Sequence, residues 1–124
     1  RIYNMQKKSL NRVILIGHLG AKPEGRYTQQ GQATATFTLA TNESWNNKEG
    51  SSIEHVEWHR LIAWGKLAEF SMEYLYKGQL VSIEGSLRTR KWEDKEGHSH
   101  KTTEILCSSV VPLEWKKEHP KTHN

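Results

Sequence analysis

With 124 residues the chain is long enough for one compact domain and too short for two, and its single cysteine, Cys107, excludes an internal disulfide and fits a reducing compartment. No apolar run approaches the roughly 20 residues of a membrane helix, and Arg1–Leu10 lacks the apolar stretch of a secretory signal. A net charge of +4 points towards a polyanionic partner, while a hydrophobic content of 35% is low for an isolated monomer and calls for flexible ends or burial through self-assembly.

Asn11–Leu19 (NRVILIGHL) is rich in β-branched residues and closes at Gly20, which predicts a buried strand. Ala21–Gly31, with Pro23, Gly25 and Gly31, predicts turns around a short extended piece, Arg26–Thr28. Thr34–Thr41 alternates: Ala35, Phe37 and Leu39 face one way and the threonines the other. Trp45–Ile53 (WNNKEGSSI) is polar and reads as a mobile loop or hairpin tip. His55–Trp64 resumes the period of two, with Trp58, Arg60, Ile62 and Trp64 on one face and His59, Leu61 and Ala63 on the other.

Lys66–Lys77 changes to a helical period, with Leu67, Phe70, Tyr74 and Leu75 as the apolar stripe and Gly78 as a C′ stop. Leu80–Trp92 returns to strand. Val81, Ile83, Gly85 and Leu87 are expected inside; Ser82, Glu84, Ser86, Arg88, Arg90 and Trp92 are expected outside. Glu93–Gly97 is a charged turn, His100–Leu113 the last strand, and Glu114–Asn124 a polar tail containing Pro120. The expected organisation is a flexible segment at 1–9, a folded domain at 10–113 and a flexible tail at 114–124. One helix between the third and fourth of five strands predicts an all-β chain with the order of the OB-fold, a small Greek-key barrel.

The outward faces of the third and fourth strands carry Trp58, Arg60 and Trp64, and Arg88, Arg90 and Trp92. Tryptophans in strands more often pack inside. Here Leu61, Ala63, Val81, Ile83 and Leu87 already fill the inward positions, and the arginines share parity with the indoles. Indoles interleaved with guanidinium groups suit single-stranded nucleic acid. Each base can stack for about 1–3 kcal/mol with little regard to identity, and each phosphate can be neutralised by arginine. Trp45, where a strand enters a polar loop, could equally be a lid over the barrel end, and Trp115 among Glu114, Lys116 and Lys117 is a weak anchor at most.

No metal or cofactor is expected. His98 and His100 flank Ser99, and His119 and His123 are four apart, but they lack cysteine or carboxylate partners at ligand spacing and read as solvated. Glu93 and Asp94 read as a solvated turn. No phosphate-cradling glycine loop precedes the helix, and no nucleophile has a base beside it, so no catalytic residue is assigned.

Long collinear blocks carry a resemblance. NRVILIGHLGAKPEGRY, TFTLATNESW, EWHRLIAWGKLAEFSMEYLYKGQLVSIEGSLRTRKW and TTEI together resemble the bacterial-type single-stranded DNA-binding proteins, a family that includes mitochondrial forms. The resemblance spans about Leu10 to Leu113 and implies an OB-fold homotetramer around which the strand wraps. It implies base stacking by Trp45, Trp58, Trp64 and Trp92, with Trp64 where phenylalanine or another aromatic is more usual. It implies phosphate contacts by Arg60, Lys66, Arg88 and Arg90, extended by Arg12, Lys48 and Lys77. It places His59 at a subunit interface. The loop at Asn46–Ile53 looks slightly short for the family.

The family's disordered tail ends in an acidic, hydrophobic tip that recruits replication and repair enzymes. EWKKEHPKTHN lacks such a tip, so partner recruitment is not carried over, and the chain is expected to be truncated or a tail-less relative. Met5 is a candidate natural start, with Arg1–Asn4 from a vector or a processed leader. The expected function is non-enzymatic, sequence-nonspecific protection of single-stranded DNA in replication, recombination and repair. The expected location is the bacterial cytoplasm, or alternatively the mitochondrial matrix. The alternatives are a tail-less primosome-type adaptor working through protein contacts, and a histidine-dependent nuclease.

Overall fold

The computed structural model describes residues 8–115. Its elements are β1 (Val13–Leu19), β2 (Glu24–Tyr27), β3 (Ala33–Asn46), β4 (Ser52–Trp64), α1 (Gly65–Tyr74), β5 (Leu80–Glu93) and β6 (Ser99–Pro112). Hydrogen-bonded neighbours run β1-β5-β6-β4-β3, and a further β1–β3 pairing closes the ring. Neighbours are antiparallel except β4 and β6, which run parallel with Leu61 opposite Ile105 and Ile62 opposite Leu106. The short β2 lies on β3 outside the closed ring. This is the OB-fold, with the helix between the third and fourth barrel strands as the order of elements predicts.

Strand alternation fills the barrel. Ala33, Ala35, Phe37 and Leu39 of β3 meet Leu61 and Ala63 of β4, Val81 and Ile83 of β5, and Ile105, Cys107 and Val110 of β6. Leu39, Leu61, Leu75 and Ile83 are fully buried, each stabilising the fold by about 1.5–3 kcal/mol relative to exposure. The ring closes where β1 crosses β3. There any side chain at Gly17 would collide with the Ala40 carbonyl, so the crossing requires glycine.

The helix differs from expectation. It ends at Tyr74 rather than Lys77, because Leu75 turns extended (φ −91°, ψ 147°) and drops into the core at 1% exposure. Its buried line is Ala68, Ser71 and then Leu75, with Leu67, Phe70 and Met72 partly covered, while Tyr74 lies exposed. Ser71 is tolerated inside because its hydroxyl donates to the Leu67 carbonyl at 2.8 Å. Gly78 does not cap the helix. It supplies the positive φ (85°) of a later turn in which the Gln79 N–H donates to the Tyr76 carbonyl. Leu87, expected inside, is 50% exposed although it keeps the inward parity of Val81, Ile83 and Gly85; the bulge at Glu84/Gly85 puts its extra residue, Ser108, on β6 and leaves the alternation of β5 unbroken.

The polar stretch after Trp45 is more ordered than expected. β3 and β4 stay paired out to Asn46 opposite Ser52, so only Asn47–Ser51 turns. Asn47 Oδ1 accepts the backbone N–H groups of Glu49 and Ser51, both at 2.9 Å, and Gly50 takes φ 83°. The β5–β6 tip repeats this arrangement. Asp94 Oδ1 accepts the N–H groups of Glu96 and His98 at 2.9 Å each, and Gly97 takes φ 86°. A short polar side chain at the first position and a left-handed glycine at the fourth thus make both loops tight hairpin ends.

Candidate nucleic-acid interface

Barrel register sets the candidate side chains on one outer surface. Along β4, Trp58, Arg60, Ile62 and Trp64 alternate outward while Leu61 and Ala63 are buried. The constant pairing of β3 with β4 puts Thr38 beside Arg60 and Thr34 beside Trp64. Across the β4–β6 contact, the same face continues onto Glu104, then onto Arg88, Arg90 and Trp92 of β5. Trp58 is 57% exposed, and Trp64 and Trp92 are each 40% exposed. Half-exposed rings of this kind are braced by the sheet yet keep an accessible face.

Glu104 organises the basic groups, and sequence reasoning missed it. Its carboxylate is buried at 6% exposure, and one oxygen accepts from Arg60 Nε at 3.2 Å and from Arg90 Nε at 3.1 Å. Arg88 stands opposite Glu104 across the hairpin. Two guanidinium groups therefore share one carboxylate, with Arg88 on the same face, and these four residues carry an excess of positive charge. The arginines lie outside the core as parity predicts, with a shared anion between two of them.

Trp92 is oriented by β6. Its Nε1–H donates to Thr102 Oγ1 at 2.8 Å, and its ring stacks on His100 with centroids 4.5 Å apart and planes 21° apart. His100 in turn hydrogen-bonds Asp94 Oδ2 at 2.8 Å. That bond, with the His98 N–H, holds the Asp94 carboxyl below the usual carboxylate range. Arg26 of β2 pairs opposite Thr34 and so lies near Trp64, lining a groove with Arg60 and Ile62. Arg26 is not singled out by the sequence, and His100 is weighed there only as a metal ligand and reads as solvated.

The other candidates are more scattered. Trp45 pairs with Ile53, a position of opposite parity to Trp58, so it leaves the opposite face of the β3–β4 ribbon at 50% exposure. Lys66 is exposed in the first turn of α1, Lys48 at the β3–β4 tip, and Lys77 in the turn after the helix. Arg12 donates to Glu84 at 2.6 Å on the β1–β5 side. His59 is half-buried on the inner parity of β4 and shares a 2.9 Å hydrogen bond with Thr41 Oγ1. Trp115 meets Tyr74 edge to face with centroids 6.2 Å apart. Beside it, the Glu114 carbonyl accepts from Gln79 Nε2 at 2.7 Å. The segments 1–7 and 116–124, with Met5, His119 and His123, lie outside the described residues.

Residues 10–113 match the model of the single-strand binding protein family. The chain is 50% identical over 107 residues to single-stranded DNA-binding protein 1 of Chlorobaculum tepidum, a match covering 86% of this chain and 66% of that protein. It therefore spans just under two thirds of that relative's length. Among solved structures, the Plasmodium falciparum SSB in complex with ssDNA superposes with a TM-score of 0.79 at 34% identity, covering 86% of this chain and 97% of that one. A deletion mutant of the single-stranded DNA binding protein from Thermus aquaticus superposes with a TM-score of 0.74 at 35% identity, covering 85% of this chain and 51% of that one. Because the match runs through the whole barrel and both long hairpins, from Leu10 before β1 to Leu113 after β6, this chain belongs to the single-strand binding protein family.

Proposed function

We propose that this chain binds single-stranded DNA without strong base preference, and protects exposed strands during replication, recombination and repair. The observation that carries this reading is the outer surface on which half-exposed Trp58, Trp64 and Trp92 alternate with Arg60, Arg88 and Arg90. The bases stack on the indoles and the phosphates meet the guanidinium groups. The Plasmodium falciparum relative, described as a complex with ssDNA, supports the choice of ligand. Binding without turnover is the activity proposed. A compartment holding DNA, in a bacterium or an organelle, follows from that role.

Trp45 joins the stacking set on the other face of the β3–β4 ribbon, so the bound strand has to curl around that arm. Lys66, Lys48 and Lys77 extend the phosphate path from exposed positions, and Arg12 joins it by giving up Glu84. The chain also self-assembles in this reading, as a homotetramer with His59 at an interface. Ile14, Ile16, Val111 and Leu113 share an exposed apolar face of the sheet formed by β1, β5 and β6, and water is excluded from it only by another surface.

The test is a titration of oligo(dT) with tryptophan fluorescence as the readout. Quenching at low salt that weakens as salt rises is the expected result. Three arginine–phosphate contacts alone give a slope of log K against log salt of roughly −2. Absence of quenching at low salt would sink the proposal. Light scattering on the same samples measures the assembly, and Ile16→Glu should shift it towards smaller species.

A further inference from the structure

The tip of the β5–β6 hairpin gathers ligand atoms that the DNA-binding reading does not use. Those of Asp94, Glu96 and His98 all lie within 4.8 Å of one another. His98 Nδ1 stands 3.5 Å from Asp94 Oδ2 and 3.6 Å from Glu96 Oε1. Both separations exceed the usual 2.7–3.2 Å of a nitrogen–oxygen hydrogen bond. They approach the edge of a tetrahedral zinc shell, where bonds of about 2.0–2.1 Å set neighbouring ligands about 3.3–3.5 Å apart. The turn holds Asp94 in place. Its Oδ1 is taken by the N–H groups of Glu96 and His98, which leaves Oδ2 towards the imidazoles.

A second layer stands behind these groups. His100 Nε2 lies 2.8 Å from the same Asp94 oxygen, and the His100 ring is fixed by its stack on Trp92. Metal-bound carboxylates are commonly braced in this way. One imidazole with two carboxylates favours a borderline ion such as Zn2+ over Mg2+, which prefers oxygen alone. From the sequence these carboxylates read as a solvated turn, because their approach to His98 depends on how the turn folds.

We propose that Asp94, Glu96 and His98 form a binding site for a divalent transition ion of the Zn2+ class, with His100 bracing Asp94 and linking the site to Trp92. The fourth position is left to water. With the His98 side chain 70% exposed and that of Glu96 80% exposed, the site takes and releases its ion readily, unlike a buried structural zinc. An ion here stiffens the end of the hairpin that carries Trp92.

Calorimetric titration of ZnCl2 into the whole chain without DNA tests the site. Asp94→Asn is a suitable variant because Asn47 makes the same two backbone bonds at the other hairpin tip, so the turn should survive. A thermal melt checks that it does, and His98→Ala is the second variant. The expected result is saturable uptake in the parent chain, unaffected by millimolar Mg2+ and weakened about tenfold or more in each variant. No uptake up to millimolar Zn2+, or uptake indifferent to both substitutions, overturns the proposal. The readout needs no DNA, so a failure of oligo(dT) binding is a separate result.

Discussion

Replacing Glu104 by glutamine removes one negative charge from beneath two arginines and changes little else in shape. The carboxylate is 6% exposed, while the Arg60 and Arg90 side chains are 50% and 48% exposed. A hydrogen bond to a charged group is worth about 1.5–3 kcal/mol, and breaking a fully buried ion pair costs about 3–5 kcal/mol. Here glutamine still offers one neutral acceptor, and the half-exposed arginines regain water. The expected loss is therefore smaller, about 1–2 kcal/mol, or roughly 4–9 °C in melting temperature for a domain of this size. The assay is thermal melting at fixed protein concentration, with a double-mutant cycle through Arg90→Met to isolate the pairwise coupling. The same variant gains one net positive charge on the outer surface. In the DNA-binding reading its salt slope should steepen by up to about 0.7. A melting temperature within about 1 °C of the parent, with no coupling to Arg90, would refute the view that this shared carboxylate holds the arginines.

Trp58→Ala should weaken oligo(dT) binding by about 1–3 kcal/mol, roughly 5- to 150-fold, with little change in the melt, whereas Trp115→Ala should leave affinity unchanged. Equal effects of the two would count against the indole surface. Burial pushes the Cys107 thiol up to about 12, so a disulfide reagent near neutral pH should label it only as fast as the barrel opens. Prompt labelling of the native chain would contradict its place in the core. The hydrogen bond from His55, backed by the imidazole's charge, lowers the Glu57 carboxyl below its ordinary 4.5. A depressed carboxylate contributes stability that is present above that ordinary value and lost as pH falls through the lowered one. Carbon-detected NMR should find Glu57 titrating below 4.5, and His55→Ala should move it up. An unmoved titration in the variant would remove His55 as the cause.

The barrel was legible in the sequence because both faces of its strands are specified by alternation. Phe37 and Leu39, Leu61 and Ala63, Val81 and Ile83 each sit one residue from a solvent-facing partner, and no other register buries them. The helix end was not legible in the same way. Leu75 fits a helical stripe by spacing, but its burial depends on where the barrel mouth lies, which is a tertiary fact. The arms were under-read for a local reason. Asn47 and Asp94 each accept two backbone N–H groups and hold their loops tight; polarity alone reads the Asp94 tip as a turn but leaves the Asn47 tip between a mobile loop and a hairpin end.

The site was legible residue by residue but not as a surface. Parity separates Trp58, Trp64 and Trp92 from the core, yet it does not say which residues of other strands stand beside them. Glu104 shows the limit. It meets Arg90 only once the hairpin turns at Asp94–His98, so that Trp92 pairs with His100 and Arg88 with Glu104. A turn placed one residue earlier, at Glu93–Gly97, keeps Glu104 on the same face but pairs it with Ser86 instead of Arg88, which carries it away from Arg90. The same register reasoning separates Trp45 from the rest. Pairing runs unbroken from Thr34 opposite Trp64 to Asn46 opposite Ser52, so no bulge returns Trp45 to the Trp58 side. Its exposure therefore comes from the arm projecting beyond the barrel. A single strand that touches both Trp58 and Trp45 must cross an edge of that arm, and the arm's order at Asn47–Ser51 then bears on binding as directly as the indoles do.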